Sequence, residues 1–226
     1  MKTTTFFVVF ALLALGCGRG SRYTAQKAKK ITPVQFHAGD EAKLLPLKVG
    51  NQWVYTLIVG QQQTEVTLRV SNVTRTGGRT NATIESTVRG SKTEESEWVI
   101  DSNGIFQSAA RKDARYDPPQ PIVPFPVEMD REKTVTTVGP LTSGGTGKQS
   151  VTVEYLGPQE VDTDMGRMSA LAMKSTTTWT ADGNSDSMHS IAWWVPGIGF
   201  VRQRQEITTA RGTGVVLMKL KSYSFP

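Results

Sequence analysis

Over most of this chain apolar side chains recur at every second position, a period that suits strands and not helices. Trp53, Tyr55, Leu57 and Val59 share one parity, and Val66, Leu68 and Val70 alternate with Thr67, Arg69 and Ser71. Successive side chains of a strand point to opposite faces, so this alternation marks strands with one buried face and one wetted face. Gly77-Gly78 then turns the chain, and Ala82, Ile84, Ser86 and Val88 alternate with Thr83, Glu85, Thr87 and Arg89. Two such runs across a Gly pair form a hairpin. Asn103-Gly104, Asp182-Gly183 and the segment from Gly212 to Gly214 separate further runs, among them Val151, Val153 and Tyr155. No long stretch carries apolar residues at helical spacing. Valine (22) outnumbers leucine (13) and threonine reaches 28, a β-branched bias that packs well on a pleated surface. The expectation is an all-β fold with little helix: an antiparallel, strongly curved sheet or incompletely closed β-barrel of about ten strands.

Two regions break the rhythm. Pro118 to Pro126 holds five prolines around Ile122, Val123 and Phe125. Proline cannot donate to a ladder, so this stretch reads as an extended crossover or an edge-covering loop. Gly139 to Gly147 is rich in Gly, Ser and Thr and reads as a mobile loop. There is no internal repeat.

The N-terminus has a different character. After Met1-Lys2, Phe6 to Leu15 is an unbroken run of ten apolar residues ending at Gly16-Cys17-Gly18. As a helix it would span about 15 Å, half of the roughly 30 Å of a bilayer core, which fits the core of an export signal. A short buried helix is the competing reading. The lone cysteine of the chain cannot form an internal disulfide. The segment Leu13-Ala14-Leu15-Gly16-Cys17 resembles the lipobox of bacterial lipoproteins, with Ala14 where that family most often has Leu. The resemblance implies cleavage between Gly16 and Cys17 and acylation of the Cys17 thiol, anchoring the chain to a membrane without spanning it. An ordinary secreted protein cut near Ala14 or Gly16 is the alternative. Residues 1–16 thus read as signal peptide, 17–32 as lipidated cysteine and tether, and 33–226 as one β-rich domain. The tether collects Arg19, Arg22, Lys27, Lys29 and Lys30, five of the cations behind the net charge of +6. They either attract anionic headgroups within a Debye length or simply solubilise the linker. The body is near neutral and shows no broad basic face for nucleic acid.

Three segments of the body form a further set: Leu45-Pro46-Leu47-Lys48-Val49-Gly50-Asn51-Gln52-Trp53-Val54-Tyr55, Val161 through Gly166 to Ala170-Leu171, and Trp194-Val195-Pro196-Gly197-Ile198-Gly199-Phe200-Val201. This set resembles the envelope proteins grouped as DUF3108-like or TapB-like, from Leu45 to about Tyr223. The resemblance implies a curved antiparallel sheet or partly closed barrel and supplies no catalytic residues. The aromatic and glycine positions read first as architecture. The functional alternative is an aromatic groove of Trp53, Trp98, Trp193 and Trp194, although consecutive Trp193 and Trp194 must face opposite sides of a strand.

Catalytic patterns are absent from the sequence. Gly144-Gly145-Thr146-Gly147-Lys148 is not a phosphate loop, because position 142 is Thr, position 149 is Gln and no helix pattern follows. His37 and His189 are the only imidazoles, too few for a structural zinc site once Cys17 is acylated. The acids Asp162 and Asp164, and those between Asp182 and Asp186, suit turn caps better than a calcium site. No Gly-x-Ser-x-Gly elbow is present, and Asp113, Asp117, Glu128 and Asp130 read as solvated acids flanking the proline segment. No metal or cofactor is expected.

The sequence therefore points to a non-enzymatic, lipid-anchored envelope protein, on the outer membrane facing the periplasm or the cell surface if the host is Gram-negative. Its β-domain would bind an amphiphile, either lipid or glycan. The alternative is an assembly factor docking another envelope protein through a strand edge or through Ile122, Val123 and Phe125. The anchor has a direct check. Cells fed radiolabelled palmitate are expected to label the wild-type chain, and Cys17→Ala is expected to abolish the label; an unlabelled wild type refutes the lipobox reading.

Overall fold

The computed structural model describes residues 43–129, 132–141, 144–181 and 184–226. The export signal, Gly16, Cys17, the basic tether, His37, Asp130 and Asp182 lie outside them. The described chain is a meander of twelve strands: β1 (Gln52–Val59), β2 (Gln62–Thr76), β3 (Arg79–Val88), β4 (Ser91–Asp101), β5 (Gly104–Arg111), β6 (Ala114–Pro124), β7 (Glu132–Pro140), β8 (Thr146–Thr163), β9 (Gly166–Ala181), β10 (Asn184–Val195), β11 (Gly199–Thr209) and β12 (Gly212–Ser224). Each strand pairs antiparallel with its sequence neighbours, and β1 pairs with β12 from Gln52↔Ser224 to Val59↔Val216, closing a barrel. The all-β, strongly curved, antiparallel expectation holds. Two strands more than expected are present, and the sheet closes.

Closure needs curvature that a flat ladder lacks. Extra residues stand in the ladders at Lys221 in β12 (opposite Val54/Tyr55), Ser71 in β2, Thr93 in β4 (opposite Ser86/Thr87), Leu156 in β8 and Val201 in β11 (opposite Trp193/Trp194). Each extra residue bends its strand and increases the local twist, which lets a long sheet curl onto itself.

The two regions that broke the sequence rhythm both fall within strands. The proline segment is not a crossover but the second half of β6, and the Gly-rich stretch is the paired end of β7 and start of β8, with Gly139↔Gly147 and Pro140↔Thr146 in register. The proline argument survives in another form. Between β6 and β7 the ladder carries a single pair, Asp117↔Val138, because the prolines of β6 have no N–H to donate. This is the seam of the barrel. Side chains close it where the ladder does not: Thr137 Oγ1 donates to Pro118 O, and the Tyr116 ring lies flat against Gly139. A Cβ at Gly139 would stand 2.2 Å from Tyr116 Cδ1, so only glycine lets that ring in.

The outer face is charged, with Lys174–Glu154 at 2.9 Å between the neighbouring β8 and β9, and with Lys221–Glu65 at 2.6 Å and Arg115–Glu97 at 2.7 Å reaching over β1 and β5 respectively. That pattern opposes the apolar outer band of about 25 Å that a transmembrane barrel carries. Such exposed pairs gain little in high dielectric and are screened by salt, so burial inside the barrel holds the fold.

The core is concentrated at one end. There residues 43–47 cross the barrel as a strap and bury Leu44, Leu45 and Leu47. The strap is pinned at three points: Gly197 N–H donates to Lys43 O (3.0 Å), Asn51 Nδ2 to Pro46 O (2.8 Å), and the Arg75 guanidinium to Leu47 O (3.1 Å). Among the described residues, strands and strap find these partners in one another. Leu44 is 0 % exposed and Val49 is 53 % exposed. Leu44→Ala is therefore expected to lower unfolding free energy by about 2–5 kcal/mol, and Val49→Ala to change it by no more than about 0.5 kcal/mol, in urea titrations.

Candidate functional site: the barrel lumen

Strand polarity divides the barrel into two ends. The strap, both ends of the described chain and the β2–β3, β4–β5, β8–β9 and β10–β11 turns share one end. The β1–β2, β3–β4, β5–β6, β9–β10 and β11–β12 turns share the other, called here the mouth.

The strap end is filled. Trp53 Nε1 donates to Ile198 O, and Tyr55 Oη donates to Phe200 O at 2.8 Å while its ring stacks on Phe200 at 4.6 Å and 7°. Trp194 meets Phe200 edge-on at 5.6 Å, and Tyr155 Oη donates to Pro124 O. The turn at Gly199 has φ +112°, and a Cβ there would stand 3.2 Å from Trp53 Nε1; glycine satisfies both the backbone and the close approach. Burial pushes the Tyr55 phenol well above its ordinary pKa, and burial does the same to Tyr116 at the seam.

Above this floor the side chains no longer fill the space. Eight strands make an interior that side chains just fill, and barrel diameter grows with strand number, so twelve strands leave room. The result is a cavity of about 230 Å³ reaching from Trp194 and Phe200 to Gln149, Trp179 and Gln205. Its lining is graded. Towards the mouth Trp98 gives way to Ser96 and Glu94 on β4, Val153 and Val151 to Gln149 on β8, Met173 to Ser175 and Thr177 on β9, and Phe200 to Gln203 and Gln205 on β11. Several of these polar groups have protein partners: Gln149 Nε2 donates to Pro140 O (2.8 Å), Gln203 Nε2 to Ser190 Oγ (3.2 Å) and Trp98 Nε1 to Ser96 Oγ (2.9 Å). Four buried lining atoms have none: Thr177 Oγ1, Trp179 Nε1, Trp194 Nε1 and Gln205 Oε1. Asp186, opposite Trp179 in the β9–β10 ladder, is 3 % exposed and also keeps one partnerless oxygen. A buried polar atom without a partner costs about 1–3 kcal/mol, so Thr177, Trp179 and Gln205 near the mouth call for a hydrogen-bonding occupant, water or ligand.

The tryptophans expected to form one groove separate. Trp98 and Trp194 line the cavity, whereas Trp53 belongs to the filled floor and packs edge-on against Phe225 at 5.5 Å. Trp193 lies on the outer face, where its Nε1 donates to Gln159 Oε1 (3.1 Å) and the Arg202 guanidinium sits 5.4 Å over its ring. As strand geometry requires, Trp193 and Trp194 face opposite ways. The aromatic missing from the expectation is Trp179, whose strand has a polar inner face (Ser175, Thr177) that hides the alternation. Ile122, Val123 and Phe125 do not form an exposed docking loop. Val123 is 0 % exposed, Ile122 lines the cavity and Phe125 packs on the core. The acids outside the lumen have ordinary tasks: Asp162 pairs with Arg167 (3.0 Å), Asp164 accepts from Thr56 Oγ1, and Asp113 pairs with Arg111 (3.2 Å). His189 lies outside, its Nδ1 3.2 Å from Thr176 Oγ1.

A closed up-and-down β-barrel is the class of fold, and solved structures are similar to it. One is a candidate lipoprotein from Parabacteroides distasonis, 9 % identical, with a TM-score of 0.52 over 80 % of this chain and 98 % of that one. Another is a candidate exported protein with a YmcC-like fold from Bacteroides fragilis, 12 % identical, with a TM-score of 0.51 over the same shares. At such identities the likeness is one of fold. No family model matches the chain, and no curated protein matches it.

The raised phenols give a pH dependence with a definite sign. A folded pKa raised above the unfolded value of about 10 leaves stability intact below that pH and removes it as pH climbs towards the folded value. Urea titrations are expected to show stability falling as pH rises above about 10, and Tyr55→Phe with Tyr116→Phe is expected to flatten that slope.

Proposed function

We propose that this chain is a lipid-anchored cell-envelope protein whose barrel holds an amphiphile in its lumen, without catalysis. The observation that carries the reading is the graded cavity: an apolar lower part, polar groups near the mouth, and partnerless buried atoms on its wall. Its volume of about 230 Å³ lies below the roughly 300–1,000 Å³ usual for drug-sized ligands, which favours one flexible chain over a bulky ring system. Met173, Met188 and Met218 add unbranched, adaptable side chains to the wall, suited to a chain of variable conformation. An acyl chain suits the apolar depth better than a glycan, whose hydroxyls would find no partners there. The envelope setting is supported by the export signal and lipobox-like segment, and by fold neighbours described as a candidate lipoprotein and a candidate exported protein. Docking through Ile122, Val123 and Phe125 draws no support from side chains turned into the barrel.

The test uses residues 33–226, secreted to a bacterial periplasm and purified without detergent. An apolar fluorescent probe is expected to bind one per barrel and to be displaced by a medium-length acyl compound. Ser175→Phe, which fills the lumen from mid-wall, is expected to abolish binding while circular dichroism and the urea midpoint show a folded barrel. Equal binding by wild type and Ser175→Phe would place the probe elsewhere and sink the reading.

A further inference from the structure

The chemistry of the mouth specifies what kind of head the amphiphile carries. Among the described residues the lining contains no Lys, Arg or His, and its one carboxylic acid is Glu94. Asp186 is buried beside the mouth, opposite Trp179. A carboxylate or phosphate drawn in there would lose its hydration with no cation among the described lining residues to meet it and two acids nearby.

The partnerless atoms narrow the choice further. Trp179 Nε1 can only donate, Gln205 Oε1 can only accept, and Thr177 Oγ1 can do either. All three lie at the polar end of the lining, Thr177 and Trp179 on β9 and Gln205 on β11, flanking β10. A head that satisfies them must both accept and donate within a small volume. A carboxylate only accepts and an ammonium only donates; a hydroxyl does both. Trp194 Nε1 lies too deep to join them, because Trp194 is six residues along β10 from Met188, the partner of Thr177, or about 20 Å of strand.

We propose that the lumen selects a single-chain amphiphile with an uncharged, hydroxyl-bearing head, its chain directed towards Trp194 and its head held at the mouth by Thr177, Trp179 and Gln205. The inference rests on the lumen-binding reading and specifies its ligand.

The test compares probe displacement from residues 33–226 by four compounds of equal chain length, each below its micellar concentration: a monoacylglycerol, the free fatty acid at a pH where it is ionised, a protonated primary alkylamine and the plain alkane. The monoacylglycerol is expected to bind at least about tenfold tighter than each of the others, the increment of roughly one well-made buried hydrogen bond. Thr177→Val and Gln205→Leu are expected to erase that preference, bringing the monoacylglycerol to the affinity of the plain alkane. An equal or tighter hold on the carboxylate or the ammonium overturns the head assignment while the lumen reading stands. Equal binding of the alkane also overturns it, and shows that water answers the polar wall. Failure of every chain to displace the probe removes the lumen reading, and the head assignment with it.

Discussion

The barrel depends on a contact between two segments some 145 positions apart in sequence: Trp53 and Tyr55 on β1 against Ile198 and Phe200 at the start of β11. Both aromatic rings are buried, and both polar tips donate to backbone carbonyls, so the contact has apolar area and no unmet donor. It lies across β12 and therefore locks the β1–β12 closure from inside. The strap answers the same turn from outside, through Lys43 O and Gly197 N–H, and Leu44, Leu45 and Leu47 seal the end. A meander is a chain of local hairpins with one long-range pairing, and the entropy of that last closure must be met by contacts of high sequence separation. This aromatic cluster supplies them.

Filling one end decides what the other end can be. Twelve strands enclose more volume than inward side chains occupy, and the large aromatics are spent on the floor. The space that remains is narrow, apolar below and polar above. It is also bounded on one side by the weakest ladder, the β6–β7 seam, where prolines forgo donors and the Tyr116 ring against Gly139 does the closing. The same proline chemistry that made this stretch look like a crossover makes it a poor strand partner. The prediction of its type failed because a closed barrel supplies a neighbour on each side that holds even a deficient strand in place.

The legible part of the fold was the part with strict contrast between its faces. The runs of Trp53 to Val59, Val66 to Val70 and Val151 to Tyr155 have apolar inner and polar outer residues, and all are strands. Where the inner face itself turns polar, near the mouth, contrast fades. Trp179 sits among Ser and Thr on both faces, and its place on the cavity wall could not be read from alternation. The tryptophan groove failed for a related reason. Parity says that Trp193 and Trp194 point apart, but not which of them points in; the bulge opposite Trp193/Trp194 and the partner at Phe200 settle that.

By itself the sequence determined the β class, the antiparallel hairpins and the distinct N-terminal segment carrying Cys17. These follow from local chemistry: side-chain period, turn residues and a short apolar run. Only the tertiary structure decided that the sheet closes, that the two aromatic-glycine motifs are one floor, and that Thr177, Trp179 and Gln205 converge at one mouth. Period-two patterning says which residues share a face of one strand. It carries no information about which strands curve towards each other, because that depends on bulges, strand number and long-range closure.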